Sequence, residues 1–353
     1  MHPGHATFQA RISGAASTLA PGYFALVMAS GIISVGFELE GFSAVSGVFL
    51  AICIGAYAVL VVVNVVRIIK FRGEIVADFM NPARAFGFYT FVAGTNVLGV
   101  RLAMAEAPMA TATLLVVSGS AWLVLGYVIP WTAVLGRTER PVIKDANGTW
   151  FIWCVASQSV ATACATLEPL AGTWKTGLAL LAVLSWSVGI VLYAAVGIFV
   201  SLRLMVYRIQ PQDLGPGYFV SMGAMAITVL AGARILEMAD APVTRAVHGL
   251  VAGASVVFWA FATWLLPVLI AAGCWRHLIN RVPLSYESGL WSIIFPLGMY
   301  SVAGIYLGRA DQLPVVLAIG QAELWLAAAA YVATFAGMLH HLWRTLVVQG
   351  AGR

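Results

Sequence analysis

Four rows of small polar residues, three arginines and one Phe–Pro pair carry the chemistry open to this chain. Ser30 and Ser34 stand four residues apart, so a helix would place them on one face. Phe88, Phe91 and Thr95 form a second row, with Asn96 beside it. Cys154, Ser157, Ala161 and Cys164 form a third, with Gln158 and Ser159 alongside; Ser221, Met225, Thr228 and Gly232 form a fourth. Hydroxyls and amides arranged in this way can give a hydrogen bond to a passing solute and let it go. The same small residues also let helices pack closely in a membrane, and spacing alone leaves both readings open.

Ser292, Phe295 and Pro296 lie in the run from Trp291 to Tyr300. Proline inside a helix removes one backbone bond, here to the carbonyl of Ser292, and a kink is expected there. The Phe295 ring at that kink is suited to plug a narrow polar tube, or simply to pack. Arg101, Arg234 and Arg309 each stand near the far end of an apolar run. Facing a central axis they would concentrate anions at its mouth; facing lipid headgroups they would be anchors.

The residues that are missing narrow the chemistry further. The 14 acidic residues, Glu323 among them, read as lying in loops or near helix ends, whereas a proton relay or a cation filter would want carboxylates within the membrane. The six histidines (His2, His5, His248, His277, His340 and His341) form no H-x-x-x-H pair, and only His248 falls inside a membrane-like run. Cys53, Cys154, Cys164 and Cys274 form no C-x-x-C pair. No metal site, cofactor or enzyme active site is expected from this set.

The elements that hold these residues are set by composition. The chain has 353 residues, 61% hydrophobic and 9% charged, against about 25% charged in soluble domains. A water-soluble fold could not cover so much apolar surface, so the expected class is an all-α polytopic membrane protein, one integral domain over residues 1–353. Apolar runs near the ~20 residues a spanning helix needs fall at 20–37, 44–67, 84–102, 108–135, 149–167, 174–203, 217–236, 246–276, 288–308 and 314–344, ten in all. The even-numbered runs are longer and richer in Leu, Val and Ala; the odd-numbered ones are shorter and hold the polar rows. The net charge of +5 is scattered between the runs, which suits a headgroup surface and gives no reason to expect a nucleic acid. With ten spans, 14 of the 19 Lys and Arg residues fall on the side of the termini, and the positive-inside rule makes that side cytoplasmic. The first twenty residues lack the apolar core of a cleaved signal peptide.

Pro21-Gly22-Tyr23-Phe24 opens the first run and Pro216-Gly217-Tyr218-Phe219 the seventh. The third begins similarly, with Asn81-Pro82 and then Phe86, Phe88 and Tyr89. Related starts on runs that enter the membrane in one direction suggest five repeated helical hairpins, with a substrate path on the repeat axis.

These strings also carry a resemblance. The Pro21–Phe24 start with Met28 to Ile32, the stretch Phe91 to Arg101, Gly148-Thr149-Trp150 with Gln158-Ser159, Met222 to Gly232, Trp259 to Pro267, and Phe295 to Tyr300 together resemble the tellurite-resistance/C4-dicarboxylate transporter family. That family includes plant guard-cell slow anion channels, bacterial tellurite-resistance proteins and fungal malate and sulfite transporters. The resemblance runs over nearly the whole chain. It implies ten transmembrane helices as five hairpins around a central pore, odd helices inside and even ones outside, and a homotrimer with one pore per subunit. It also implies that Phe295, just before Pro296, occludes the pore. On this reading Ser30, Ser34, Phe91, Thr95, Asn96, Ser157, Gln158, Ser221, Thr228 and Ser292 line the path, and Arg101, Arg234 and Arg309 draw anions to it. The function it implies is an anion channel or uniporter for small anions or malate-like C4-dicarboxylates, multi-pass in the plasma or inner membrane and without a cofactor. The alternative is a proton-coupled dicarboxylate or sulfite efflux carrier, for which His248 or an arginine-paired carboxylate would have to titrate.

Overall fold

The computed structural model describes residues 8–238 and 241–346; His2, His5, Asp240 and Arg353 lie outside them. Every regular element among these residues is helical. An apolar solvent leaves no partner for backbone N–H and C=O groups, and a helix satisfies them within itself.

A short helix, α1 (Phe8–Ser17), comes first. It is followed by α2 (Ala25–Leu39), α3 (Ser43–Lys70), the short α4 (Arg72–Met80), α5 (Tyr89–Met104), α6 (Pro108–Ile129) and α7 (Ile152–Leu167). Then come α8 (Lys175–Val206), α9 (Val220–Leu236), α10 (Pro242–Cys274), α11 (Trp291–Ala310) and α12 (Pro314–Leu346). Nine helical segments among the described residues are long and apolar enough to cross a membrane, against ten expected. The segment left out is Ala85–Met104. It is long enough, but Asn96 and Arg101 in its second half lower its hydropathy, so length and composition alone do not mark it.

The packing separates two classes of helix. α2, α5, α7, α9 and α11 each pack against the next, and α11 returns to α2, closing a ring of five in chain order. Each of the longer helices α3, α6, α8, α10 and α12 packs outside against the ring helix that precedes it in the chain. Burial follows the same division. The segments holding α2, α7, α9 and α11 are 78–94% buried, while those holding the outer helices are 11–39% buried and present Val, Leu, Ile and Trp outward.

Each ring helix begins with a tight 3-10 turn: Pro21–Phe24, Ala85–Phe88, Gly148–Phe151, Pro216–Phe219 and Ser288–Leu290. Sequence shows related starts at three of these; the structure shows the turn at all five, and the five turns also touch in a closed circle. Glycine makes this approach possible. A Cβ on Gly87 would meet the Gly22 nitrogen at 2.8 Å, and one on Gly148 would overlap the backbone of Tyr218. The glycine of the Pro-Gly-Tyr-Phe string is therefore a point where two backbones meet. α4 lies at the same end, fixed by Asp78, which accepts from Arg67 and Arg84 at 2.6 Å each.

Candidate functional site

Toward the C-terminal ends of the ring helices lies a small cavity of about 20 Å3, room for about one water molecule, and every ring helix contributes to its wall. α2 gives Ile32 and Val35; α5 gives Asn96, Val97 and Val100; α7 gives Ser159 and Thr162. α9 gives Ile227, Leu230 and Arg234, and α11 gives Met299 and Tyr306. The wall is mainly apolar, with its polar groups gathered along α7 and its neighbours α5 and α9.

Asn96 is fixed at one end of this polar strip. Its Nδ2 donates to Ser159 Oγ at 2.9 Å and its Oδ1 accepts from Ser118 Oγ. An amide nitrogen has two hydrogens, and the second is not used. Ser159, Thr162 and Thr166 follow one another up α7 at helical spacing. Each donates to a carbonyl of its own helix, at 2.7, 2.9 and 2.8 Å.

Arg234 closes the other end of the strip. Its Nη1 donates to Glu237 Oε2 at 2.6 Å and its Nη2 to Thr166 Oγ1 at 3.3 Å. The guanidinium lies 5.4 Å from the centre of the Tyr306 ring. Its Nε is buried and makes no hydrogen bond. One donor on Arg234 and one on Asn96 thus remain uncommitted in a small apolar chamber, which is the environment in which an anion would take them up.

One turn toward the N-terminal end, the same helix faces carry Met28, Ala93, Val155, Gly223 and Phe295 by the i, i+4 rule. All five are buried, Phe295 to 1% exposure. The level below the cavity is therefore apolar, and Phe295 and Met28 are its largest side chains.

The sequence profile of the family described as "Voltage-dependent anion channel" matches residues 18–339. This chain belongs to that family. An uncharacterized transporter of Methanocaldococcus jannaschii is 21% identical over 313 residues, 86% of this chain and 89% of its own length. Uncharacterized membrane proteins of Mycobacterium tuberculosis, from strains CDC 1551 and H37Rv, are 58% identical over 155 residues, 44% of this chain and 79% of theirs. Membership makes the chain an integral membrane protein of an anion channel and transporter family, and the chamber with one arginine is the feature to read in that light.

Of the residues singled out from sequence, the structure brings Asn96, Ser159 and Arg234 together around the cavity and places the other polar ones differently. Ser30 bonds the Leu26 carbonyl and the Tyr331 hydroxyl of α12, both at 2.8 Å. Ser157 accepts from Trp122 of α6, and Gln158 donates to the Trp186 carbonyl of α8. Thr95 reaches the Tyr57 hydroxyl of α3 at 3.2 Å, and Phe91 stacks on the same Tyr57. Thr228 turns back to the Ala224 carbonyl. These side chains join ring helices to outer helices or stay within their own helix. Ser221 opens onto a lateral groove, and Ser292 is half-buried at the start of α11.

The arginines separate in the same way. Arg101 donates to Ser34, Ser46 and Glu38, the last at 2.7 Å, and so ties α5 to the α2–α3 turn. Arg309 pairs with Glu40 at 2.7 Å near the surface. Arg234 alone of the three lines the cavity. Thr162, Thr166 and Tyr306 are the site residues that sequence reasoning passed over, and Ser159 it placed only beside a row. One carboxylate is also further from a helix end than sequence suggested. Glu323 is the tenth residue of α12, about 14 Å along it at 1.5 Å per residue, and its Oε1 is buried. His248 is exposed on the outer face of α10.

Proposed function

We propose that this chain is a passive pathway for small anions through the centre of its helix ring, closed at Phe295. Ten helices would span the membrane as five hairpins, Ala85–Met104 included, with both termini cytoplasmic and three copies assembled as a trimer in the cell membrane. The observation that carries the reading is the chamber itself: five helices converge on it, it holds one arginine with a free buried donor, and a phenylalanine lies beneath it.

The strength of the site suits passage. A unit anion about 4 Å from a guanidinium gains roughly 4 kcal/mol at an effective dielectric near 20, which corresponds to about millimolar affinity. Glu237 at 2.6 Å already offsets much of that charge. An ion held so weakly leaves readily, as conduction requires. A dicarboxylate carries two charges and would find one partly neutralised arginine, so monovalent anions fit the chamber better than malate-like ones.

The floor supplies the gate. Phe295 lies in the apolar level one turn below Met299, and opening needs the ring to rotate or α11 to move. Flux of chloride, nitrate, sulfite and malate into proteoliposomes, compared for the wild-type protein and Phe295→Ala, tests this. A large gain in Phe295→Ala supports the gate; unchanged flux removes it.

A second reading, a proton-coupled carrier, has one observation behind it. Glu323 has a buried Oε1 without a hydrogen bond and lies within electrostatic reach of Tyr300 on α11. Anion uptake that requires a pH gradient and is lost in Glu323→Gln would favour it.

A further inference from the structure

Between α8 and α10 the outer layer leaves a deep lateral groove of about 1000 Å3. Val200 and Leu204 of α8 form one wall, Leu265 and Val268 of α10 the other, and Phe219 at the start of α9 the base. Leu204 and Val268 are exposed as well as groove-lining, so the opening faces the surroundings of the outer helices, which for a spanning protein is hydrocarbon. The groove extends from Phe261 to Arg276 along α10 and its terminal turn, about 22 Å at 1.5 Å per residue. Half of a ~30 Å hydrocarbon core is about 15 Å, so the groove is long enough to hold acyl chains along their full length.

One end of this apolar slot is polar, and Glu287 lines it together with an arginine and a histidine. Arg276 and His277 line it there. Arg276 Nη1 donates to the Leu214 carbonyl at 3.0 Å, and Nη2 is 3.8 Å from Glu287, too far for a hydrogen bond. The Arg276 Nε is buried and has no partner. His277 Nδ1 is engaged with the Val282 carbonyl at 2.8 Å, which leaves Nε2 free. Buried guanidinium donors without acceptors are costly, and the groups that satisfy them best are anionic oxygens.

We propose that this groove binds one anionic phospholipid, with its phosphate on Arg276 and its acyl chains between α8 and α10. The incompletely satisfied guanidinium at one end and the length of the apolar remainder match both parts of such a molecule. The site is separate from the central chamber, and its occupancy does not depend on what the chamber conducts.

The test uses the full chain, purified in detergent, stripped of lipid, and examined by native mass spectrometry with phosphatidylglycerol or with phosphatidylcholine of the same chains. The expected result is one phosphatidylglycerol per chain, retained at least fivefold better than phosphatidylcholine. Arg276→Gln should reduce that preference to none. Gly197→Trp should reduce binding of both lipids, because a side chain at Gly197 projects into the open groove and meets nothing within 4 Å. That variant adds bulk only to open space, so it decides the question should Arg276→Gln fail to fold. Equal retention of the two lipids overturns the proposal. So does full binding in both variants, displacement of the lipid by millimolar inorganic phosphate alone, or a disulfide between Leu204→Cys residues of two chains, which would show a second copy in the groove.

Discussion

Pro296 packs against Gly223: a Cβ built on that glycine would meet Pro296 Cγ at 2.8 Å. The contact joins α11 to α9 at the level of the cavity floor, beside Phe295. A ring nitrogen without N–H leaves the α11 backbone one bond short there, and the missing side chain on α9 lets the proline seat close. Gly223→Ala should push the two helices apart at the gate. The expected outcome is anion leak in proteoliposomes between that of the wild-type protein and that of Phe295→Ala, with a lower melting temperature in detergent. A tight, fully stable Gly223→Ala would show that this contact does not position the floor.

Arg234 and Glu237 should act in opposite senses. Arg234→Gln removes the one cation on the chamber wall and should raise the anion concentration for half-maximal flux by about tenfold, the equivalent of 1.4 kcal/mol. Glu237→Gln leaves the arginine uncompensated and should lower that concentration while slowing maximal flux, since a tighter ion leaves later. Concentration series in the Phe295→Ala background separate the two. Parallel changes in both variants would mean that the pair acts only as a structural clamp.

Arg101 should matter for stability and little for flux. It is 5% exposed and bonds Glu38, Ser34 and Ser46. Arg101→Gln strands a carboxylate and two hydroxyls, and breaking a buried pair costs roughly 3–5 kcal/mol; the partial exposure of Glu38 puts the expected loss at or below the low end, about 2–3 kcal/mol. Thermal unfolding checks the loss, and a tenfold rise in half-maximal anion concentration would instead place Arg101 on the ion path.

Labelling tests the number of spans. If Ala85–Met104 crosses the membrane, cysteines introduced at Ala83 and at Glu106, which flank it and are both exposed, should react with an impermeant reagent from opposite faces of the membrane, in a chain with its four native cysteines replaced. Reaction from one face would leave nine crossings and reverse the orientation of everything after α5.

The ring and its outer layer were legible in the sequence because the two helix classes differ in length and in polar content, and a bilayer imposes both. The site was legible only in part. A ring helix such as α7 is buried on all sides, so polar residues mark no wet face. On α7 two rows satisfy helical spacing, Cys154-Ser157-Ala161-Cys164 and Val155-Ser159-Thr162-Thr166; the first contains the Ser157 that meets α6, and the second borders the cavity. Spacing cannot choose between them, and only the position of the neighbouring helices does. Arg101 and Arg234 occupy like positions on α5 and α9, but Ser34, Ser46 and Glu38 stand ready to capture the first, a set of contacts between distant segments that no local pattern announces.

The ring has a seam. Its neighbours along the chain meet as they are made, but α2 stays without a partner on one flank until α11 arrives, and α12 then covers the joint by packing against both. Without α11 the four earlier ring helices form an open arc. A polypeptide halted before α11 would therefore leave the ring open on one flank, and the last two helices to emerge are the ones that complete it.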